Sequence, residues 1–169
     1  MPLSKKLTKA LDAARVKYDT LKHRVVYTAF DLAATLHVPL TQVVKTLLIK
    51  TDKGLAVALL SAASQLDSKK LGKVASVKKV SIPTEREMVK KIKVSKGPLS
   101  SFGSLYKLPV FLDRKLLKQK RLVLSGGSFK ESVLVHVKDF LRFENPIVGV
   151  FGVPKKQIKK KNRRARRKS

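Results

Sequence analysis

The sequence predicts an α/β (α+β) domain with a mixed, largely antiparallel sheet and packed helices. Three observations lead there. Apolar, partly β-branched runs alternate with capped amphipathic segments early in the chain, a turn signature joins two of those runs into a hairpin, and three further strand-like runs follow in the second half. At 169 residues, 43% of them hydrophobic, the chain can bury roughly 70% of its unfolded-state surface around one core.

Leu3, Leu7, Ala10, Leu11 and Ala14 recur at helical spacing behind Ser4, a good N-cap, and predict a core-facing first helix. A short strand precedes Thr28-Ala29-Phe30-Asp31, which reads as a capping box opening a helix through Ala33, Ala34 and Leu36 that stops near Pro39. Val43 to Lys50 and Leu55 to Leu60 are apolar runs joined by Thr51-Asp52-Lys53-Gly54, the pattern of a hairpin between central strands. Leu66 to Leu71 reads as a short Asp-capped helix, Val77 to Ile82 as a strand, and Thr84 to Glu87 as a second capping box. Leu108 to Leu112, Arg121 to Ser125 and Ser132 to Val137 are strand-like, with Gly126-Gly127 between the last two, so the second half is expected to form an antiparallel meander. There is no internal repeat.

Composition narrows the chemistry. Without cysteine there is no disulfide, no thiolate nucleophile and no Cys-based zinc or iron–sulfur site. His23, His37 and His136 lack HxxxH or HExxH spacing and read as ordinary packed or surface histidines, so no metal and no cofactor are expected. The longest apolar runs, Leu55 to Ala63 and Pro146 to Val153, fall far short of the roughly 18 residues a membrane span needs. No long apolar stretch follows Lys5, Lys6 and Lys9, so the start is not read as a secretory signal. An acid-poor start resembles a transit peptide, but the helical period favours a core helix; a soluble, cytoplasmic protein is expected.

Lys and Arg number 39 against 11 Asp and Glu, a formal charge of +28 that calls for a polyanionic partner. Residues 154–169, PKKQIKKKNRRARRKS, hold ten of those cations: Lys155, Lys156, Lys159, Lys160, Lys161, Arg163, Arg164, Arg166, Arg167 and Lys168. With no acid and one large aliphatic residue, Ile158, this stretch is expected to be a disordered basic tail that binds RNA, after a folded body over residues 1–153. Removing its ten charges from +28 still leaves +18 on the body.

Two glycine-bearing loops could be oxyanion or phosphate cradles, Ser95 to Gly103 and Ser125 to Ser128, but a tight turn is the favoured reading of each on residues alone, and more so for Gly126-Gly127 between strands. Lys45 stands inside the apolar run Val43 to Ile49. Either it snorkels from an edge position, or its ammonium faces a cleft and meets negative charge.

The string His23 to Ala29, the pair Ala33-Ala34, Val43 to Leu47, Gln65 to Leu71, Lys78 to Val80, Gly97 to Gly103 and Leu124 to Gly127 together resemble, in order, the YbaK family of editing domains associated with prolyl-tRNA synthetase. The resemblance spans about residues 20–143. It implies a YbaK-like fold and an aminoacyl-tRNA deacylase that hydrolyses the ester of a mischarged tRNA, chiefly proline tRNA, with water or the terminal ribose hydroxyl as nucleophile. It implies that Lys45 and Gly97 are catalytic and that Tyr27, Thr28, Ser100, Ser101, Phe102, Gly103, Ser125, Gly126 and Ser132 bind substrate. The sequence departs from the family where Ser101 replaces the proline of Gly-x-x-x-Pro, where Ile92-Lys93-Val94 replaces a tyrosine-and-glycine segment, and where Ser132 stands at an aspartate position of some members. The expectation is a trans-acting deacylase with tRNA as partner and ribosomal RNA as a further partner of the tail. The alternative is a non-catalytic RNA-binding or ribosome-associated protein on the same fold.

Overall fold

The computed structural model describes residues 3–92 and 98–155. In chain order it contains α1 (Lys5–Ala13), β1 (Tyr18–Lys22), α2 (Ala29–Leu36), β2 (Val44–Thr51), β3 (Gly54–Ser61), β4 (Ser64–Leu66), α3 (Ser68–Ala75) and β5 (Val80–Ser81). These are followed by α4 (Glu85–Ile92), a 3-10 turn at Gly103–Tyr106, β6 (Val110–Asp113), a 3-10 turn at Arg114–Lys118, β7 (Arg121–Ser125), β8 (Glu131–His136), α5 (Val137–Glu144), β9 (Ile147–Gly149) and β10 (Gly152–Pro154). The strands form a five-stranded sheet ordered β5-β2-β3-β6-β9, a three-stranded sheet β1-β8-β7 and a two-stranded ribbon β10-β4. The predicted α/β class with a largely antiparallel sheet is the observed one.

The anticipated hairpin is the centre of the molecule. β2 and β3 pair antiparallel from Val44 opposite Ser61 to Thr51 opposite Gly54, and Gly54 supplies the φ of +120° that the turn requires. Val57 and Leu59 of β3 pack into one core with Leu7, Leu11, Leu122, Val133 and Phe140, while Ala56, Ala58 and Leu60 pack into a second with Leu71, Phe111 and Phe151. A strand covered on both faces has to be apolar almost throughout, which is why Leu55 to Leu60 carries no polar residue. Helix starts follow their side-chain caps. Ser4 accepts from Leu7 N–H, Thr28 from Asp31 N–H and Asp67 from Lys70 N–H. Thr84 and Glu87 exchange bonds in a full capping box, and Lys50 bonds Glu87 at 3.0 Å, holding that carboxyl below its usual range.

Several expectations are corrected. The strand expected over 77–82 shrinks to Val80–Ser81, because the Lys78 and Lys79 amides donate to the Asp52 carboxylate instead of to a neighbouring strand. The expected meander holds for the β7–β8 hairpin only. β6 leaves it to run parallel to β3 and β9 in the larger sheet, all four of its residues being buried there. The run expected as a strand through Val137 ends at His136, where α5 begins. In α1, Leu3, Leu7 and Leu11 reach the core, whereas Ala14 is exposed. β10 continues through Pro154, the first residue assigned to the tail.

Asp113, at the end of β6, is fully buried and fixes the C-terminal strands. Its Oδ1 accepts from Phe151 N–H and Gly152 N–H, each at 3.0 Å, and a Cβ at Gly152 would stand 2.8 Å from Oδ2. That close approach requires glycine. Asp113→Ala is expected to destabilise the protein by about 2–4 kcal/mol, since two buried amides lose their acceptor, with Asp113→Asn costing less. Urea unfolding of the two variants checks the order.

Candidate functional site

Strand β2 is paired along its whole length with β3, but on its other side β5 reaches only Lys50 and Thr51. The edge from Val44 to Ile49 therefore has no strand partner among the described residues. A cavity of about 550 Å³ lies against it, lined by Val44, Lys45, Thr46 and Leu47, by His23 to Phe30 without Arg24 and Val25, and by Leu32, Ala62, Pro98, Leu99, Ser125, Ser128, Phe129, Ser132 and Lys155. Of the expected site residues it gathers Lys45, Tyr27, Thr28, Ser125, Ser132 and Lys155.

Lys45 is half-buried. Desolvation by burial lowers its ammonium pKa from the usual lysine value, and the positive charge of Lys155 lowers it further. Alternation along β2 puts Lys45 on the face of Leu47 and Ile49, which pack toward Phe151, while Thr46 points to the opposite face. Among the described residues neither Lys45 nor Lys155 forms a hydrogen bond or ion pair, and no carboxylate lines the cavity. It is a cationic hollow with an apolar wall.

His23 is the functional candidate that sequence reasoning read as ordinary. Its Nδ1 lies 2.7 Å from the Arg24 carbonyl oxygen, which can only accept, so Nδ1 carries the proton. Nε2, 2.9 Å from Ser132 Oγ, is then the acceptor of the neutral ring and takes the Ser132 hydroxyl proton as a hydrogen bond. Ser132 is only 3% exposed and His23 is half-buried, so this pair is partly shielded from bulk water. The sequence offered one signal, His23 opening the family string; its partner lies 109 residues away and spacing could not reveal it. Tyr27 (77% exposed) and Phe30 (58%) stand at the mouth, with Tyr27 edge-on to Phe129 at 5.0 Å between ring centres.

The glycine loop is arranged differently from expectation. Gly97 lies outside the described residues. Ser100 N–H donates to Tyr106 Oη at 2.8 Å, Ser101 N–H to the Ser125 carbonyl at 2.9 Å, and Phe102 N–H to Ser100 Oγ at 3.2 Å. These three amides hold the loop itself and are not turned toward a ligand. Ser101 is fully buried; its Oγ accepts Ser125 N–H at 2.9 Å and bonds Thr46 Oγ1 at 2.7 Å, tying the loop to β7 and β2. Phe102 is in the core against Phe140 and Phe143. A Cβ on Gly103 would come within 2.5 Å of Val110, and one on Gly126 within 2.4 Å of Leu3. Ser100, Ser101, Phe102, Gly103 and Gly126 are not among the residues that line the cavity. Of the tail cations, Lys155 alone is described; Lys156 to Lys168 lie outside the described residues.

Residues 23–143 match the aminoacyl-tRNA editing domain family, and the chain belongs to that family. Among solved structures it is similar to a protein provisionally assigned as a trans-editing enzyme for prolyl-tRNA synthetase, with 22% identity, coverage of 90% of this chain and 99% of that one, and a TM-score of 0.75. A hypothetical protein of 18% identity matches over 88% and 100% of the two chains with a TM-score of 0.79, and a scaffold used in computational epitope grafting, of 20% identity, over 90% and 98% with 0.75. No curated protein matches the chain. No helix among the described residues is long and apolar enough to cross a membrane.

Two outcomes test these assignments. Gly103→Ala should cost about 1–3 kcal/mol through overpacking against Val110, read as a lowered Tm. Lys45→Met should raise Tm by about 1–4 °C at neutral pH while removing function. Because the folded-state pKa of Lys45 is lowered, its destabilising effect is fully present below that lowered value and fades as pH rises toward 10.5, so the Tm gain should shrink in alkaline buffer.

Proposed function

We propose that the protein is an aminoacyl-tRNA deacylase acting in trans, with mischarged proline tRNA as its first candidate substrate. The reading rests on the placement of an ammonium, Lys45, unpaired among the described residues, and an oriented hydroxyl–imidazole pair, Ser132 and His23, on one apolar-walled cavity. Ester hydrolysis needs a base for the attacking water and a positive group where the carbonyl oxygen becomes negative. Water attacks the acyl carbon and passes its proton to Ser132 Oγ as the Ser132 proton moves to His23 Nε2. Lys45 faces the charge on the carbonyl oxygen. When the ester C–O bond breaks, the ribose oxygen takes its proton back along the same route, releasing the amino acid and the free tRNA 3′ end.

Val26, Ala29, Leu32, Leu47, Ala62 and Leu99 offer a wall for a small aliphatic acyl group. The exposed rings of Tyr27 and Phe30 offer a face to the terminal base. Phosphate contacts from the +18 body, and from Lys156, Lys159, Lys160, Lys161, Arg163, Arg164, Arg166, Arg167 and Lys168, supply affinity that falls steeply with salt. Proline specificity is supported by the assignment of the similar trans-editing structure.

The test is a panel of mischarged tRNAs, with Ala, Cys, Ser and Thr on proline tRNA first. Turnover is expected on at least one; Lys45→Ala should abolish it, and His23→Ala or Ser132→Ala should each lower kcat by about 100-fold with RNA affinity retained. Absence of turnover on every ester, with RNA binding intact, would leave a non-catalytic RNA-binding protein.

A further inference from the structure

Lys155 was read from the sequence as the first cations of an unstructured tail, yet the fold treats it differently. Asp113 pins the amides of Phe151 and Gly152, β10 pairs with β4 from Gly152 opposite Leu66 to Pro154 opposite Ser64, and Lys155 follows immediately. β4 begins two residues after Ala62, itself a cavity residue. The result is a C-terminal segment held against the cavity, with the Lys155 side chain on its lining beside Lys45.

Two like charges sharing a partly buried hollow with no carboxylate among its lining residues repel one another, and an anion relieves that repulsion. The hydroxyls of Thr28, Ser125 and Ser128 line the same hollow. Compact lysine ammonium groups suit a phosphate held as a point charge, and the surplus of 28 positive charges favours one carried on nucleic acid.

We infer that Lys155 forms, beside Lys45, a phosphate subsite in the cavity that takes the last phosphodiester before the 3′-terminal nucleoside of an RNA, leaving Lys45 to face the ester carbonyl. This deepens the deacylase reading and rests on it for the identity of the RNA end. Lys155 fixes the position of the nucleotide at the last described residue of the chain.

The experiment measures binding of the 5′-phosphorylated trinucleotide CCA, of adenosine and of inorganic phosphate to the full chain by calorimetry, for the wild type, Lys155→Ala, Lys155→Arg and the double variant Arg163→Ala/Arg164→Ala. Lys155→Ala should weaken the trinucleotide about tenfold. It should also reduce the slope of log affinity against log salt by about 0.7, one single-strand phosphate contact. Adenosine binding should be unchanged, and Lys155→Arg should restore most of the loss. In deacylation, Lys155→Ala should raise KM with kcat little changed. Equal weakening of the trinucleotide by the double variant would overturn the inference, as would inorganic phosphate binding as tightly as the trinucleotide. If no ester is hydrolysed but the trinucleotide still depends on Lys155, the deacylase reading falls and the subsite stands.

Discussion

A lysine in a strand that is otherwise packed on both faces is tolerated only where its ammonium can reach water or an anion, and this fold meets that condition by leaving one edge of β2 unpaired. β3 covers one side of the strand in full; β5 touches only its last two residues. The cavity is the space that remains. Its walls come from the β1-β8-β7 sheet, which contributes Ser125 and Ser132 to the same lining as Lys45, and from α2, whose Thr28 cap starts the helix at the cavity wall. Had β5 continued along β2, the edge would have been closed by main-chain hydrogen bonds. The Asp52 carboxylate, by capturing the amides of Lys78 and Lys79, is one reason it does not.

Charge acts at two levels here. The excess over the whole chain raises encounter rate and affinity for any polyanion and carries no choice of sequence. The two lysines of the cavity act at short range in a partly desolvated space, where each unit of charge counts for more. For Lys45, burial makes the charged form costly, and on the proposed deacylase reading the same burial strengthens its interaction with a developing oxyanion.

What the sequence made legible follows from how local each signal is. The caps at Ser4, Thr28, Asp67 and Thr84 and the hairpin at Thr51 to Gly54 are read within four or five residues, and all are present. Lys45 was legible because a charge inside an apolar run is a local contradiction. The parallel placement of β6 was not, since no feature of Leu108 to Leu112 distinguishes a meander partner from a strand that crosses to another sheet. Nor was the pairing of His23 with Ser132, which depends on the register of β1 against β8, where Leu21 faces Ser132 and Lys22 faces Glu131. Lys155 belongs to this second kind, its place being set by Asp113 from 38 residues upstream of Phe151.

On the proposed deacylase reading, Ser101 at the position where the family resemblance implies a proline bears on which groups can stabilise negative charge. A proline would stiffen the loop through its ring and donate nothing. Ser101 instead anchors it by hydrogen bonds, joining Thr46 on β2 and Ser125 on β7 through one buried hydroxyl. The loop is thereby fixed next to Lys45, but the amides of Ser100, Ser101 and Phe102 are consumed in fixing it. An oxyanion hole built from those amides would require three internal bonds to break as charge develops, which removes the advantage of preorganisation. On the proposed deacylase reading, stabilisation then falls to side chains that line the hollow, Lys45 foremost among them. Ser101 gives the loop an amide that a proline would lack, but that amide is spent on the Ser125 carbonyl, so the substitution adds an anchor and no free donor.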